Sequence, residues 1–192
     1  MAIDDPHDGA RRAWHWRLAA WGAAALLWLA PAVAMRFTAE VDWSAFDFVV
    51  FGALLLAAGG TLELAVRLTR DRAYRASIGV AVGAAFVLVW VNGAVGVIGG
   101  EDHPANLLLL GVPAVALIGA LAARGRPGGM ARALVATAAA QALVGAVGAS
   151  LVGAASGRTL AATGVFMALW LLSAGLFRRS AGKPGQRAGV RA

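Results

Sequence analysis

Residues 76–98, ASIGVAVGAAFVLVWVNGAVGVI, decide the fold, because these 23 consecutive positions carry no charged side chain. A helix rises about 1.5 Å per residue, so roughly 20 apolar residues cross the hydrocarbon core of a bilayer. Five further apolar stretches accompany this one, at 18–35, 46–66, 106–123, 131–155 and 160–177. The sequence therefore predicts an all-α integral membrane bundle of six transmembrane helices, whose principal partner is the lipid bilayer.

The composition agrees with a membrane protein. Hydrophobic residues make up 60% of the chain and charged residues only 14%, whereas a soluble domain is about 45–50% apolar and about 25% charged. The absence of cysteine excludes disulfides, thiolate-bound metal centres and thiol catalysis. No phosphate-binding loop, H-E-x-x-H or G-x-S-x-G motif occurs. The sequence therefore shows no cofactor site and favours, without deciding, a protein that is not an enzyme.

The basic residues gather in alternate connections between the apolar stretches. Fifteen of the 17 Lys and Arg residues fall on one predicted side, and only Arg36 and Arg158 remain for the other. Because cytoplasmic loops are enriched in Lys and Arg, we expect both termini inside, with cytoplasmic tails over 1–17 and 178–192 flanking a transmembrane domain over 18–177. The net charge of +7 is then a topology signal, and no nucleic-acid partner is expected.

The first apolar stretch allows a second interpretation. Arg11 and Arg12, an apolar run and the A-x-A sequence over 32–34 resemble a cleaved signal peptide. The run over 18–35 is long for such a peptide, which favours a retained helix.

The predicted outer side is acidic on an otherwise basic chain. Its loops contain five acidic residues, Glu40, Asp42, Asp47, Glu101 and Asp102. Carboxylates together with an imidazole and amide oxygens suit a divalent cation or a proton-handling site. We therefore predict a ligand or cation site of unspecified metal content at the following residues: Asp47, Asn92, Glu101, Asp102, His103 and Asn106.

Helix capping offers a competing explanation for part of this cluster. Ser44 and Asp47 have the spacing of a capping box at the start of helix 2, and Trp43 and Phe48 have that of a hydrophobic staple. Acidic residues before helix 4 would likewise complement its dipole. Caps explain one acidic residue per helix but not five in two loops, so both interpretations stay open.

Three polar side chains lie within the predicted spans. Glu63 is four residues before Arg67, which predicts an ion pair on one helix face; a carboxylate that binds a proton or cation is the alternative. Asn92 and Gln141 are expected to form hydrogen bonds between helices.

Small residues at four-residue spacing predict close helix packing. Gly79 and Gly83 on helix 3, and Gly145 and Ala149 on helix 5, have this spacing, so we expect these two helices at the centre of the bundle.

The acidic outer face and the small-residue faces lead to two alternative functional hypotheses. The chain binds or moves a cation, proton or small solute through its acidic outer face, or it is an accessory subunit that assembles with a homo-oligomer or partner protein through its Gly/Ala-rich faces.

Two segments carry a resemblance to known proteins. Residues 42–48, DWSAFDF, and 90–106, WVNGAVGVIGGEDHPAN, resemble a family of small bacterial multi-pass membrane proteins without an established activity. The likeness extends through most of the chain, including Glu63 and residues 126–132. It implies a bacterial inner membrane and no particular reaction. Because the family has Asn at the position of His103, it argues against an essential metal ligand there and leaves an acidic-plus-amide site.

Overall fold

The computed structural model describes residues 6–99, 103–152 and 157–182. Within these ranges the chain forms six helices and no strand: α1 (Pro6–Ala34), α2 (Ala45–Leu68), α3 (Arg72–Val95), α4 (Asn106–Ala123), α5 (Pro127–Leu151) and α6 (Gly157–Ala181). Each helix contains a segment long and apolar enough to cross a membrane. The predicted fold class is confirmed: this is an all-α, multi-pass membrane protein.

Several helix ends differ from the predicted boundaries. Helix α1 already begins at Pro6, so much of the tail predicted over 1–17 is helical. Helix α3 stops at Val95 because Gly96 takes a positive φ of 58°, and the Gly96 N–H donates to the main-chain oxygen of Asn92. Helix α6 continues to Ala181, beyond the predicted boundary at 177. Hydropathy alone misses the ends of α1 and α6 because helices continue into polar sequence as long as their backbone groups stay paired. It misses the end of α3 because a glycine turn interrupts the helix within apolar sequence.

The chain divides into two compact units, the first extending to Gly60 and the second beginning at Thr61. In the first unit, aromatic side chains join α1 to the start of α2. The Nε1 group of Trp28 donates to the main-chain oxygen of Phe48 over 2.8 Å, and the two rings meet edge to face. Gly52 makes room for this indole, because a Cβ there would lie 2.9 Å from Trp28 Nε1.

The second unit is built on α3–α6, which pack in a ring in that order, with α6 closing back onto α3. Between α4 and α5, a Cβ on Gly119 would lie 2.5 Å from the Cβ of Ala133. Between α5 and α6, a Cβ on Gly145 would lie 2.5 Å from the Oγ1 of Thr163. Lipid tails are as apolar as the helix surfaces, so the hydrophobic effect contributes little to helix association in a bilayer. Close approach at small residues stabilises the contact through van der Waals packing instead.

Helices α5 and α6, rather than helices 3 and 5, carry most of the buried side chains of this unit. Gly145 packs against α6 as its spacing predicts. Gly79 and Gly83 do not pack in this way, because a Cβ at either position would meet no atom within 4 Å. Sequence spacing identifies a small-residue face but does not say whether that face is covered.

Candidate functional site

The connection after α3 folds back into the second unit. Val97 is 5% exposed and Ile98 is fully buried. A buried loop must find partners for its main-chain N–H and C=O groups, since water cannot supply them. We call this region, comprising Asn92, residues 96–99, Asn106 and Thr159, the asparagine end of the unit.

Two side chains satisfy this loop, and a third joins the helices on either side of it. The Ile98 N–H donates to Asn106 Oδ1 over 2.9 Å, and Thr159 Oγ1 on α6 donates to the Val97 oxygen over 2.9 Å. Asn92 Nδ2 donates to the main-chain oxygen of Asn106 over 3.0 Å. The first two bonds hold α4 and α6 to the buried stretch of backbone, and the third joins α3 directly to α4.

The rim of the asparagine end is also tightly fitted. Gly99 has a positive φ of 70°, and a Cβ there would lie 2.8 Å from the imidazole of His103 and 2.9 Å from Val152. The His103 Nδ1 atom accepts from the Ala105 N–H over 3.2 Å. His103 thus packs and orients the start of α4.

The structure brings together only part of the predicted ligand site. Asn92 and Asn106 are in direct contact and His103 lies beside their loop, whereas Glu101 and Asp102 fall outside the described residues. Among the residues that are described, no group of three or more His, Asp or Glu side chains is placed to hold a metal ion.

Asp47 belongs to the first unit, where it forms the predicted capping box. Its Oδ2 atom accepts from the Ser44 N–H over 2.7 Å and from Ser44 Oγ over 2.8 Å, and the Asp47 N–H donates back to Ser44 Oγ over 3.3 Å. The rings of Trp43 and Phe48 meet with centroids 5.3 Å apart, as the predicted staple requires. The capping interpretation of Asp47 is therefore confirmed.

Glu63 forms the predicted ion pair. Its Oε1 atom accepts from the guanidinium of Arg67, one turn further along α2. The Arg67 side chain is 63% exposed and that of Glu63 only 20%, so the carboxylate is the more buried partner of the pair. The proposed proton- or cation-binding role of Glu63 stays a prediction.

Three buried polar atoms in the described part of the second unit have no hydrogen-bond partner: Asn92 Oδ1, Gln141 Oε1 and Trp170 Nε1. Their residues are 9%, 1% and 0% exposed, respectively. Two of the atoms are acceptors and one is a donor. The prediction that Asn92 bonds between helices is confirmed for its Nδ2 group only.

Helix register places these three groups at successive heights. Gly145 on α5 faces Thr163 on α6, and Ser173 Oγ on α6 donates to the Ser77 oxygen on α3 over 2.7 Å. At about 1.5 Å per residue, Gln141 and Trp170 are separated by about 5 Å along the helix axes, and Asn92 lies about 13 Å nearer the asparagine end than Gln141. The three unpaired groups thus lie at different heights in the second unit, from the asparagine end toward the middle of the helices.

Two residues that matter in the second unit were not among the predicted site residues. Thr159 lies just after a Gly- and Ser-rich segment and gives no signal that its hydroxyl supports a loop 62 residues away. Trp170 lies well inside the sixth apolar stretch and is fully buried, as a deep tryptophan that packs between helices is. Its indole N–H, inside a span with no aromatic-belt position, is the signal that could have singled it out.

Comparison with known proteins adds no identity: the chain matches no protein-family model, curated protein or solved structure. The fold defines the class, a multi-pass α-helical membrane protein. The bacterial family suggested by residues 42–48 and 90–106 stays a prediction.

Proposed function

We propose that this chain binds a small polar solute or cation inside its second unit and lets it pass inward from the asparagine end. The ligand meets Asn92 first and Gln141 further in. Uptake or sensing of that ligand across a bacterial inner membrane is the function proposed.

One observation carries this proposal, the buried and unpartnered amide oxygens of Asn92 and Gln141. Inside the hydrocarbon core no water is at hand to satisfy an atom such as Gln141 Oε1, which costs several kcal/mol there. Asn92 Oδ1, near the end of α3, is shielded from solvent by the protein itself. Structural amides normally use their hydrogen-bonding capacity within the bundle. Two buried acceptors without partners in the second unit therefore favour a bound ligand that donates hydrogen bonds or carries positive charge.

The chemistry of these groups narrows the ligand. Carboxamide oxygens accept hydrogen bonds and bind hard cations but bring no negative charge. They suit a neutral hydrogen-bond donor or a singly charged cation. Glu101 and Asp102, in the connection between α3 and α4, add the charge that would attract a cation to this end.

The direction of entry depends on the inside location of both termini, which we also propose. Its support is the placement of all but two basic residues in alternate connections. Because the chain has no cysteine, single cysteines report topology cleanly. In intact cells, a membrane-impermeant maleimide should label Glu40→Cys but label Gly182→Cys only after lysis; the reverse pattern would reject the proposed orientation.

The test of ligand binding is thermal unfolding of the detergent-purified chain. Sodium, potassium, magnesium, calcium, urea, glycerol and glycine serve as probes. A ligand that binds only the folded state stabilises it by about 2.7 kcal/mol at 100 times its Kd. The decisive variant is Gln141→Leu, which removes the open acceptor. Ala139→Leu, on the exposed side of α5, is the matched control.

The proposal expects at least one probe to raise the unfolding midpoint of the wild type and of Ala139→Leu, but not that of Gln141→Leu. No response in the wild type, or a full response in Gln141→Leu, would reject the interior site. A shift that Gln141→Leu keeps and Glu101→Ala/Asp102→Ala loses would place the ligand at the acidic loop instead.

The alternative function is that of an accessory subunit, and the open face of Gly79 and Gly83 favours it. These glycines lie one turn apart on α3, and no atom lies within 4 Å of a Cβ built on either. Under this alternative, Gly79→Ile/Gly83→Ile prevents assembly with a second copy or another membrane protein. The matched control is Gly111→Ile/Gly164→Ile, which changes two other open glycines. Equal assembly of both variants, measured by cross-linking in membranes, would reject the alternative.

A further inference from the structure

The end of the second unit opposite the asparagine end is strongly basic. It is formed by the end of α2, the start of α3, the connection between α4 and α5, and the end of α6. We call it the arginine end, and it carries nine arginines: Arg67, Arg70, Arg72, Arg75, Arg124, Arg126, Arg132, Arg178 and Arg179. The other end of α6 carries only Arg158.

Specific contacts bring the separate arginine groups together. Tyr74 on α3 donates its hydroxyl to the Gly125 oxygen over 2.9 Å, and its ring packs edge to face on Phe177 of α6. Ser180 Oγ donates to Asp71 Oδ2 over 2.6 Å. Each of these contacts has an arginine as an immediate neighbour in the chain. The contacts therefore hold three arginine-bearing segments, 70–75, 124–126 and 178–179, at the same end of the unit.

The acidic residues described at this end do not balance the positive charge. Glu63 binds Arg67, and Asp71 caps α3 by accepting from the Ala73 N–H over 3.0 Å while also accepting from Ser180. The Arg75 guanidinium donates to the main-chain oxygens of Thr69 and Val66, which bring no negative charge. Two carboxylates against nine guanidinium groups leave a large positive excess.

Arg124 provides an independent observation. It is the only non-glycine residue with positive φ among those described, with φ 48° and ψ 42° at the C-terminal end of α4. Glycine is the usual residue there, because a Cβ is disfavoured in the left-handed conformation. Arg124 thus occupies a position that glycine would fill with less strain, and its side chain is exposed.

We propose that the arginine end is a docking surface for the phosphate groups of anionic phospholipids. The ends of membrane-spanning helices lie at the height of the lipid headgroups. One guanidinium group can donate two parallel hydrogen bonds to two oxygens of a phosphate, a geometry that the ammonium group of lysine does not offer. Only one of the 17 basic residues of this chain is a lysine, Lys183. The surface is independent of the proposed solute site.

The test titrates phosphatidylglycerol into the full chain in a neutral detergent and follows the unfolding midpoint. Phosphatidylcholine and inorganic phosphate are the comparison ligands. Arg124→Gln/Arg178→Gln should weaken the apparent affinity for phosphatidylglycerol about fivefold for each arginine removed. The matched control Arg36→Gln/Arg158→Gln, which loses the same charge elsewhere, should keep the wild-type affinity.

Arg124→Gly separates binding from folding. Without lipid, this variant should unfold about 2–4 °C higher than the wild type, because strain is relieved; with phosphatidylglycerol its response should be weaker. Equal losses in the two double variants would overturn the proposal in favour of a diffuse effect of net charge. Inorganic phosphate acting as well as phosphatidylglycerol would overturn the lipid assignment, and a lower midpoint for Arg124→Gly without lipid would show that Arg124 supports only the fold.

Discussion

Asn92 Nδ2 donates to the main-chain oxygen of Asn106 over 3.0 Å, which joins the last turn of α3 to the first turn of α4. Asn106 in turn accepts from the Ile98 N–H, so one pair of amides closes the loop between the two helices. The same pair leaves Asn92 Oδ1 without a partner. Asn92 thus joins the two helices through its Nδ2 group, and its Oδ1 atom is the open acceptor nearest the asparagine end.

Asn106→Ala should destabilise the protein by about 1–3 kcal/mol, because the buried Ile98 N–H loses its acceptor. Unfolding in detergent, followed by tryptophan fluorescence, measures the loss. Leu107→Ala, at the exposed neighbouring position, is the control and should change stability by less than about 0.5 kcal/mol. Similar losses in the two variants would mean that the Asn106 side chain does not support the loop.

Thr159→Val should cost about 0.5–1.5 kcal/mol, because it removes the hydroxyl that donates to the Val97 oxygen while keeping the shape of the side chain. Thr159→Ser keeps the hydroxyl and should retain most of that stability. Hydrogen exchange at the Ile98 amide offers a local readout and should be faster in the valine variant than in the serine variant. Equal exchange in both would contradict a role for this hydroxyl.

The sequence predicts the membrane fold better than the site, and particular residues show why. Six apolar stretches are a local property that any spanning helix must have, and the Ser44–Asp47 cap and the Glu63–Arg67 pair are contacts within four residues. The bond from Thr159 to Val97 joins positions 62 apart, and no local pattern predicts it. Contacts between distant segments depend on how the helices pack. The local spacing of residues in a single sequence does not predict that packing.

Gly79 and Gly145 show the same limit. Both have a small residue four positions further on, yet only Gly145 lies against another helix in the second unit. The residue pattern is alike at the two positions, whereas the contacts are decided by which faces of α3 and α5 turn toward their neighbours. The contrast gives a direct stability test.

Gly145→Ala should destabilise the protein by about 1–3 kcal/mol, because the added Cβ meets the branched and stiff Thr163 side chain at 2.5 Å. Gly79→Ala should be neutral or stabilising by up to about 1 kcal/mol, since alanine favours the helix and the space is open. Thermal unfolding of both variants in the same detergent compares them. Equal effects of the two substitutions on the unfolding midpoint would mean that the α5–α6 contact at Gly145 does not set the outcome.

Ser180→Ala tests the closure of the arginine end. Ser180 is fully buried and donates to the Asp71 carboxylate over 2.6 Å. Because hydrogen bonds to charged groups contribute about 1.5–3 kcal/mol, its loss should lower stability by about that amount. Ser150→Ala removes an exposed hydroxyl that donates only to the Val147 oxygen three residues earlier, and should be nearly neutral. If both serine variants unfold like the wild type, the bond from Ser180 to Asp71 does not contribute to holding α6 against the start of α3.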